Sequence, residues 1–160
     1  IRAMKKILFV CHGNICRSPM SEFVMKDLVK KAGLTSQFQI ASAATSREEI
    51  GNPVYPPARR KLAEHGISCA GKTARQLTRA DYGAYDLLIG MDQANLRNMR
   101  RICGGDPEGR SISCWSMPTG LVRRWLIPGI LGISRLHGRM YWQGARDCLR
   151  LCIYYKHNII

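Results

Sequence analysis

Acidic residues are scarce in this chain: 11 Asp and Glu face 25 Lys and Arg, a formal net charge of +14. Such a surface attracts phosphorylated or otherwise anionic partners, and it is equally compatible with a merely solvated basic face. Aromatic residues are also sparse, at 8%. A basic face that binds single-stranded nucleic acid interleaves aromatics for stacking, and the body of the chain offers few, so no nucleic acid partner is expected. Long hydrophobic runs are missing as well. Crossing a bilayer takes roughly 20 apolar residues, and the segment Trp125 to Ile133 is interrupted by Pro128, Gly129 and Gly132. No membrane span is expected. The early run Ile7 to Val10 is too short for the core of a secretory signal, which points to the cytoplasm. Seven cysteines without regular spacing fit reduced thiols better than a disulfide scaffold. No cofactor and no metal is expected. What remains, with 46% hydrophobic residues in a chain of 160, is one globular domain.

The order of elements gives the fold class. Lys5 to Val10 reads as a buried strand ending at Cys11, because Ile7, Leu8, Phe9 and Val10 are continuously apolar. Pro19 suits the first turn of a helix with Ser18 as its capping hydroxyl, and Met20, Phe23, Val24 and Leu28 follow helical spacing toward Gly33. Phe38 to Ala41 reads as a second strand and Ser42 to Pro57 as a loop. Ala58 to His65 is a helix closed by Gly66, Tyr85 to Ile89 a third strand, and Gln93 to Ile102 a helix closed by Gly104 and Gly105. Strands alternating with helices predict an α/β domain with a doubly wound parallel sheet.

The segment Cys11-His12-Gly13-Asn14-Ile15-Cys16-Arg17-Ser18 falls between the first strand and the first helix, where open α/β sheets bind ligands. Successive backbone N–H groups of such a loop can turn inward as an anion nest, reinforced by the helix amino end. Gly13 and Asn14 tolerate the left-handed backbone a nest needs. A thiolate at Cys11 would be stabilised there by amide dipoles and by the Ser18 hydroxyl, and it is a nucleophile. Arg17 folds back to offer its planar fork to two phosphoryl oxygens, a geometry lysine lacks. The expected chemistry is phosphoryl transfer to Cys11 followed by hydrolysis of the thiophosphate. Against this stands a buried structural cysteine beside a surface arginine; the strand, loop, Ser-Pro and helix context favours the catalytic reading. Cys16 is either core filling or a thiol close enough to pair reversibly with Cys11.

From about Met4 to Arg110 the chain resembles the low-molecular-weight protein tyrosine phosphatases. Beyond the Cys11 to Pro19 loop the likeness includes Ser42-Ala43-Ala44, Glu64-His65-Gly66-Ile67, Thr73-Ala74-Arg75-Gln76, and Gly90-Met91-Asp92 with Asn95 and Leu96. The resemblance implies that Cys11 is the nucleophile, Arg17 the phosphate clamp and Ser18 the support of the thiolate, while His12, Gly13, Asn14, Ile15 and Cys16 line the substrate site. It implies that Asn14, Ser42 and His65 hold the loop by hydrogen bonds, and that phosphotyrosine-containing proteins are the substrates. Arsenate reductases of this fold use further cysteines as a close pair; Cys69 and Cys103 are far apart in sequence. Arginine phosphatases of this type carry threonine where this loop has Ile15.

The family's general acid, an aspartate in an Asp-Pro pair followed by aromatics, has no counterpart here. The corresponding stretch reads Leu126-Ile127-Pro128-Gly129-Ile130-Leu131-Gly132, and no carboxylate lies between Glu108 and Asp147. Residues 111–160 hold all three tryptophans, seven basic residues and one acid, against 18 basic and 10 acidic residues in 1–110. Written with the codons CTG ATC CCT GGT ATA CTG GGG, that stretch read one base earlier gives GAT CCC TGG TAT ACT GGG, or Asp-Pro-Trp-Tyr-Thr-Gly. The expectation is a phosphatase-like domain over 4–110 and, over 111–160, an atypical basic tail that is the frame-shifted remainder of the same domain. Its last strand and helix are therefore in doubt, the general acid is absent, and activity is reduced. Otherwise the chain is a weakened phosphate-binding protein with a basic tail.

Overall fold

A computed structural model describes residues 4–31 and 33–113. Four strands, β1 (Lys5–Cys11), β2 (Phe38–Ala44), β3 (Leu87–Gly90) and β4 (Ser111–Ser113), form one sheet in the order β2-β1-β3-β4. All three pairings are parallel, with Ile7 opposite Ile40 and Leu87, and Ile89 opposite Ile112. Among the described residues four α-helices accompany it: α1 (Arg17–Lys31), α2 (Pro56–Glu64), α3 (Arg79–Ala84) and α4 (Gln93–Cys103). The α/β parallel class expected from the alternation is the observed one.

Both sides of the sheet are covered, and for that reason β1 is apolar throughout rather than alternating. Ile7, Phe9 and Cys11 face one way, packing with Met20, Val24 and Leu28 of α1 and Ala58 and Leu62 of α2. Leu8 and Val10 face the other, against Leu77, Tyr85, Leu96 and Met99. Phe9, Leu8 and Val10 are fully buried, each worth roughly 1.5–3 kcal/mol of hydrophobic stabilisation. The chain steps from β1 outward to β2, then returns to the opposite side of β1 for β3. That reversal makes the carboxyl ends of β1 and β3 the place where a crevice opens.

Several boundaries moved. β2 runs on through Ala44, since Ser42, Ala43 and Ala44 pair with Phe9, Val10 and Cys11. The loop after β1 is shorter than expected, His12 to Cys16, because α1 already begins at Arg17. Ser18 therefore sits inside the first turn, and its hydroxyl engages Cys11 and Asn14 rather than acting as the cap ahead of the helix. Three elements go beyond the sequence reading, the first being a 3₁₀ turn at Thr35–Gln37 ahead of β2. α3 is held by a capping box in which Thr78 and Asp81 exchange side-chain to backbone bonds. β4 extends the sheet just past Arg110. Met99 explains why β3 ends in glycine: a Cβ on Gly90 would stand 2.9 Å from its Sδ and 3.4 Å from the Leu96 nitrogen. Among the described residues no helix is long and apolar enough to cross a membrane.

Candidate active site

Cys11 ends β1 with its side chain buried at the floor of the following loop. Its Sγ accepts the Asn14 backbone N–H at 3.2 Å and lies 2.9 Å from the Ser18 Oγ. The loop wraps back on itself because Asn14 adopts a left-handed backbone, φ 58°, alone among the described non-glycine residues. Asparagine bears that conformation at less cost than most residues. Its side chain is used completely: Nδ2 donates to Ser18 Oγ and Ser42 Oγ, both at 2.8 Å, and Oδ1 accepts the Arg75 backbone N–H at 3.2 Å.

The network continues into the protein. Ser42 donates to Glu22 Oε1 at 2.6 Å, and Glu22, buried on α1, receives Lys26 Nζ at 2.6 Å on its other oxygen. Lys72 reaches the same place, 3.6 Å from Glu22 Oε1 and donating to the Ser42 carbonyl at 3.1 Å. Burial pushes the Lys72 ammonium below its ordinary range, although the Glu22 charge pulls it back up. Arg75 is itself fixed, its guanidinium forked onto Asp81 at 3.0 and 3.1 Å and its carbonyl accepting from the Ala44 N–H.

The outer rim is held by the segment after β2. Thr45 and Ser46 donate their N–H groups to the carbonyls of Cys11 and His12, and Tyr55 donates to that of Ile15. His12 is exposed, its Nε2 2.9 Å from Glu48 Oε2. Gly13 faces Glu49, whose Cγ would stand 3.3 Å from a Cβ at position 13. Ile15 is half-buried, as is Cys16. Burial and the neighbouring Cys11 charge push the Cys16 thiol up, against the pull of Arg17. Arg17 opens α1 and donates through Nη1 to Asp92 Oδ2 at 2.7 Å. Asp92, just beyond β3, also caps α4 by accepting the Asn95 N–H at 2.7 Å. Burial raises its carboxyl, but Arg17 and the helix amides outweigh this and hold it below the ordinary carboxylate range.

The fold thus gathers Cys11, Asn14, Ser18 and Ser42 into one connected group and sets Arg17 at its mouth. His65 is placed at the C-cap of α2, its backbone N–H donating to the Leu62 carbonyl. Glu22, Lys72 and the Arg75 amide complete the group, and they were not identified from the sequence. A glutamate on the inward face of an apolar helix stripe was the available signal. Cys69 and Cys103 lie in the clusters on opposite sides of the sheet.

The chain is similar to known proteins. The human low molecular weight phosphotyrosine protein phosphatase is 42% identical over 100 residues, 62% of this chain and 63% of that protein. YfkJ of Bacillus subtilis, a low molecular weight protein-tyrosine-phosphatase, is 41% identical over 101 residues, 63% of this chain and 65% of that protein. The match therefore spans less than two thirds of the length of these relatives. In three dimensions the crystal structure of YfkJ superposes with a TM-score of 0.71 at 30% identity, covering 93% of this chain and 92% of that one. The low molecular weight protein tyrosine phosphatase of Streptococcus pyogenes gives 0.66 at 31% identity, covering 91% and 89%. The family model described as low molecular weight phosphotyrosine protein phosphatase matches residues 6–111, and the chain belongs to that family.

Proposed function

We propose that this chain hydrolyses aryl phosphate esters, with phosphotyrosine-containing proteins as the substrate class, through a phosphate ester of Cys11. The observation that carries the reading is the position of the Cys11 sulfur, accepting the Asn14 N–H beneath a loop whose mouth holds the Arg17 guanidinium. The sulfur lone pair attacks phosphorus, the bond from phosphorus to the aryl oxygen breaks, and the phenolate leaves with that electron pair. Water then attacks phosphorus, the sulfur–phosphorus bond breaks, and inorganic phosphate and the thiolate are released. Arg17 takes two equatorial oxygens in place of Asp92 Oδ2, and the amides of residues 12–16 take the remaining charge. Ser18 supports the thiolate; Asn14, Ser42 and His65 hold the loop. The reaction belongs in the cytoplasm.

Residues 111–160 are read as the out-of-frame remainder of the same domain. The family match stops at residue 111, where the acids disappear from the sequence. Without the general acid, proton delivery to the leaving oxygen is lost, which typically costs about 10²- to 10⁴-fold in rate and weighs most on poor leaving groups. The chain is then expected to turn over activated aryl phosphates and to fail on phosphotyrosine peptides; equal rates on the two classes would refute the missing acid. Reading the gene in its other frames tests the slip itself.

The lack of any carboxylate between Glu108 and Asp147 also supports a second reading, a phosphate-binding protein with little or no turnover. Cys11→Ser separates the two. Under the first, hydrolysis of an activated aryl phosphate disappears while oxyanion binding persists; under the second, the wild type has no turnover to lose. The placement of Cys69 and Cys103 on opposite faces of the sheet speaks against an arsenate reductase that passes its intermediate between them.

A further inference from the structure

One face of α4 holds charge that nothing beside it neutralises. Arg97, Arg100 and Arg101 are exposed and stand three and four positions apart, so they share a single stripe of the helix. Arg79, which opens α3, joins the end of that stripe: a Cβ on Gly104 would stand 3.3 Å from its guanidinium carbon. Among the described residues none of these four guanidinium groups has an ion pair. The acids in the stretch from α3 to β4 are engaged elsewhere. Asp81 holds Arg75, Asp92 holds Arg17 and Glu108 pairs with Arg110, while Asp86 accepts the Lys6 backbone N–H and Asp106 the Tyr82 hydroxyl. Beyond β4 the sequence adds one acid, Asp147, against seven basic residues. The helix dipole accounts for Arg100 and Arg101 in the last turn of α4. It does not account for Arg97, whose like charge four positions from Arg101 costs the helix stability.

We infer that this arginine stripe is a docking surface for an acidic segment of the phosphotyrosine-containing substrate, lying alongside the residue held in the pocket. The inference rests on the reading of Cys11 and Arg17 as the phosphate site and deepens it. α4 starts at the mouth, because its N-cap is Asp92, the residue paired with Arg17. At a helical rise of about 1.5 Å per residue, Arg97 lies about 7.5 Å and Arg101 about 13.5 Å along the axis from Asp92. An extended peptide covers those distances in roughly two to four residues. Arginine suits such a partner, since its planar fork takes two carboxylate oxygens at once. A membrane surface fits less well. An interfacial helix sets apolar side chains beside its basic ones, whereas Leu96, Met99 and Cys103 of α4 are buried and the exposed large hydrophobics among the described residues, Met4, Ile50 and Tyr55, lie on other segments.

Binding is measured by fluorescence anisotropy on the full chain carrying Cys11→Ser, which leaves a bound phosphopeptide intact. Two labelled phosphotyrosine peptides are compared, one with Glu at the second to fourth positions on both sides of the phosphotyrosine and one with Gln at those positions. The Glu peptide is expected to bind about tenfold more tightly at low ionic strength, as several exposed ion pairs together would give, and the preference should close at about 1 M salt. Adding Arg97→Gln, Arg100→Gln and Arg101→Gln should abolish the preference. Removing as many charges from exposed positions of α1 and α2, with Lys30→Gln, Arg59→Gln and Arg60→Gln, should leave it in place. Should the α4 variant fail to fold, Arg97→Glu alone is expected to lower the preference by about threefold or more. Equal binding of the two peptides, a preference that survives the α4 substitutions, or one that falls as much in the α1 and α2 control overturns the inference. An α4 variant that loses binding to phosphatidylserine vesicles or to single-stranded DNA while keeping its peptide preference overturns it too, and assigns the stripe to those anions. Displacement of either peptide by inorganic phosphate reports the pocket and the preference reports α4, so failure of the one is distinguishable from failure of the other.

Discussion

The floor and the mouth of the site are built on opposite terms. At the floor, Asn14, Ser18, Ser42 and Glu22 are all under 5% exposed and tied into one chain of short hydrogen bonds. At the mouth, the side chains of Arg17 and Asp92 are 35% and 40% exposed and meet at 2.7 Å. Leaving a buried polar group unsatisfied costs about 1–3 kcal/mol, so the floor has one arrangement. An exposed ion pair is worth no more than about 1 kcal/mol, so the mouth can exchange its partner. Orientation of the sulfur is thus stored where rearrangement is costly, and oxyanion capture is placed where it is cheap.

The largest break in that contrast comes from Asn14. Asn14→Ala removes three side-chain hydrogen bonds and leaves the left-handed backbone to a residue without asparagine's tolerance for it. The backbone N–H remains but its aim at Cys11 is no longer held. Hydrolysis of an activated aryl phosphate is expected to fall about 10²- to 10³-fold in kcat/KM, with about 2–4 kcal/mol of stability lost in thermal unfolding. Asn14→Gly restores backbone freedom but no amide. It should recover part of the stability and little of the rate; recovery of both would mean the floor is no more than a turn.

Asp81 gives an intermediate case, buried yet remote from the sulfur. It fixes Arg75 by a two-point fork and accepts from Thr78 N at 2.8 Å and Thr78 Oγ1 at 3.1 Å. Asp81→Ala should cost about 2–3 kcal/mol through loss of the cap and the fork, read by chemical denaturation, with a smaller loss of rate than Asn14→Ala. Burial raises the Asp81 carboxyl, but Arg75 and Thr78 prevail and hold it below its ordinary value. A lowered folded-state value means the contribution is full above the ordinary aspartate range and is lost as pH falls through the lowered value. Asp81→Asn should flatten the acid side of the stability profile, and an unchanged acid side would show that the fork contributes nothing.

The same contrast explains what could be read in advance. The parallel sheet was legible because β1 and β3 are apolar on both faces, and the loop because Cys11, Asn14, Arg17 and Ser18 lie within one short stretch. Partners brought from a distance were not. Glu22 and Lys72 are fifty positions apart and meet only because α1 and the segment before α3 both pack against β2 near Ser42. Asp92 stands in the Gly90-Met91-Asp92 motif, yet its bond to Arg17 depends on β1 and β3 being neighbours across the strand reversal. α3 is not legible in the sequence although Thr78 and Asp81 stand at the capping-box spacing, since no apolar periodicity follows them over six residues. β4 is three residues long and takes its identity from pairing with β3.

The smallest effect is expected at the mouth, and its sign is informative. Asp92→Asn preserves the α4 cap through its one oxygen, because asparagine is as good an N-cap as aspartate, and turns an NH2 group toward Arg17. The charge and the acceptor of the Arg17 contact are lost together. Stability should change by less than about 1 kcal/mol, while inorganic phosphate should bind a few-fold more tightly at low ionic strength, an anion having been removed from beside it. At about 1 M salt, where the Debye length is about 3 Å, the difference should close. It should close again in acid. The Arg17 contact holds the Asp92 carboxyl below the usual range, so the wild type keeps its charge through mild acid and converges on the variant only as pH falls through that lowered value. Competitive inhibition by phosphate, measured across salt and pH, reads both limits. If the variant binds phosphate more weakly instead, Asp92 acts by aiming Arg17 through its charge rather than by holding the place a substrate takes, and the mouth is then as rigid as the floor.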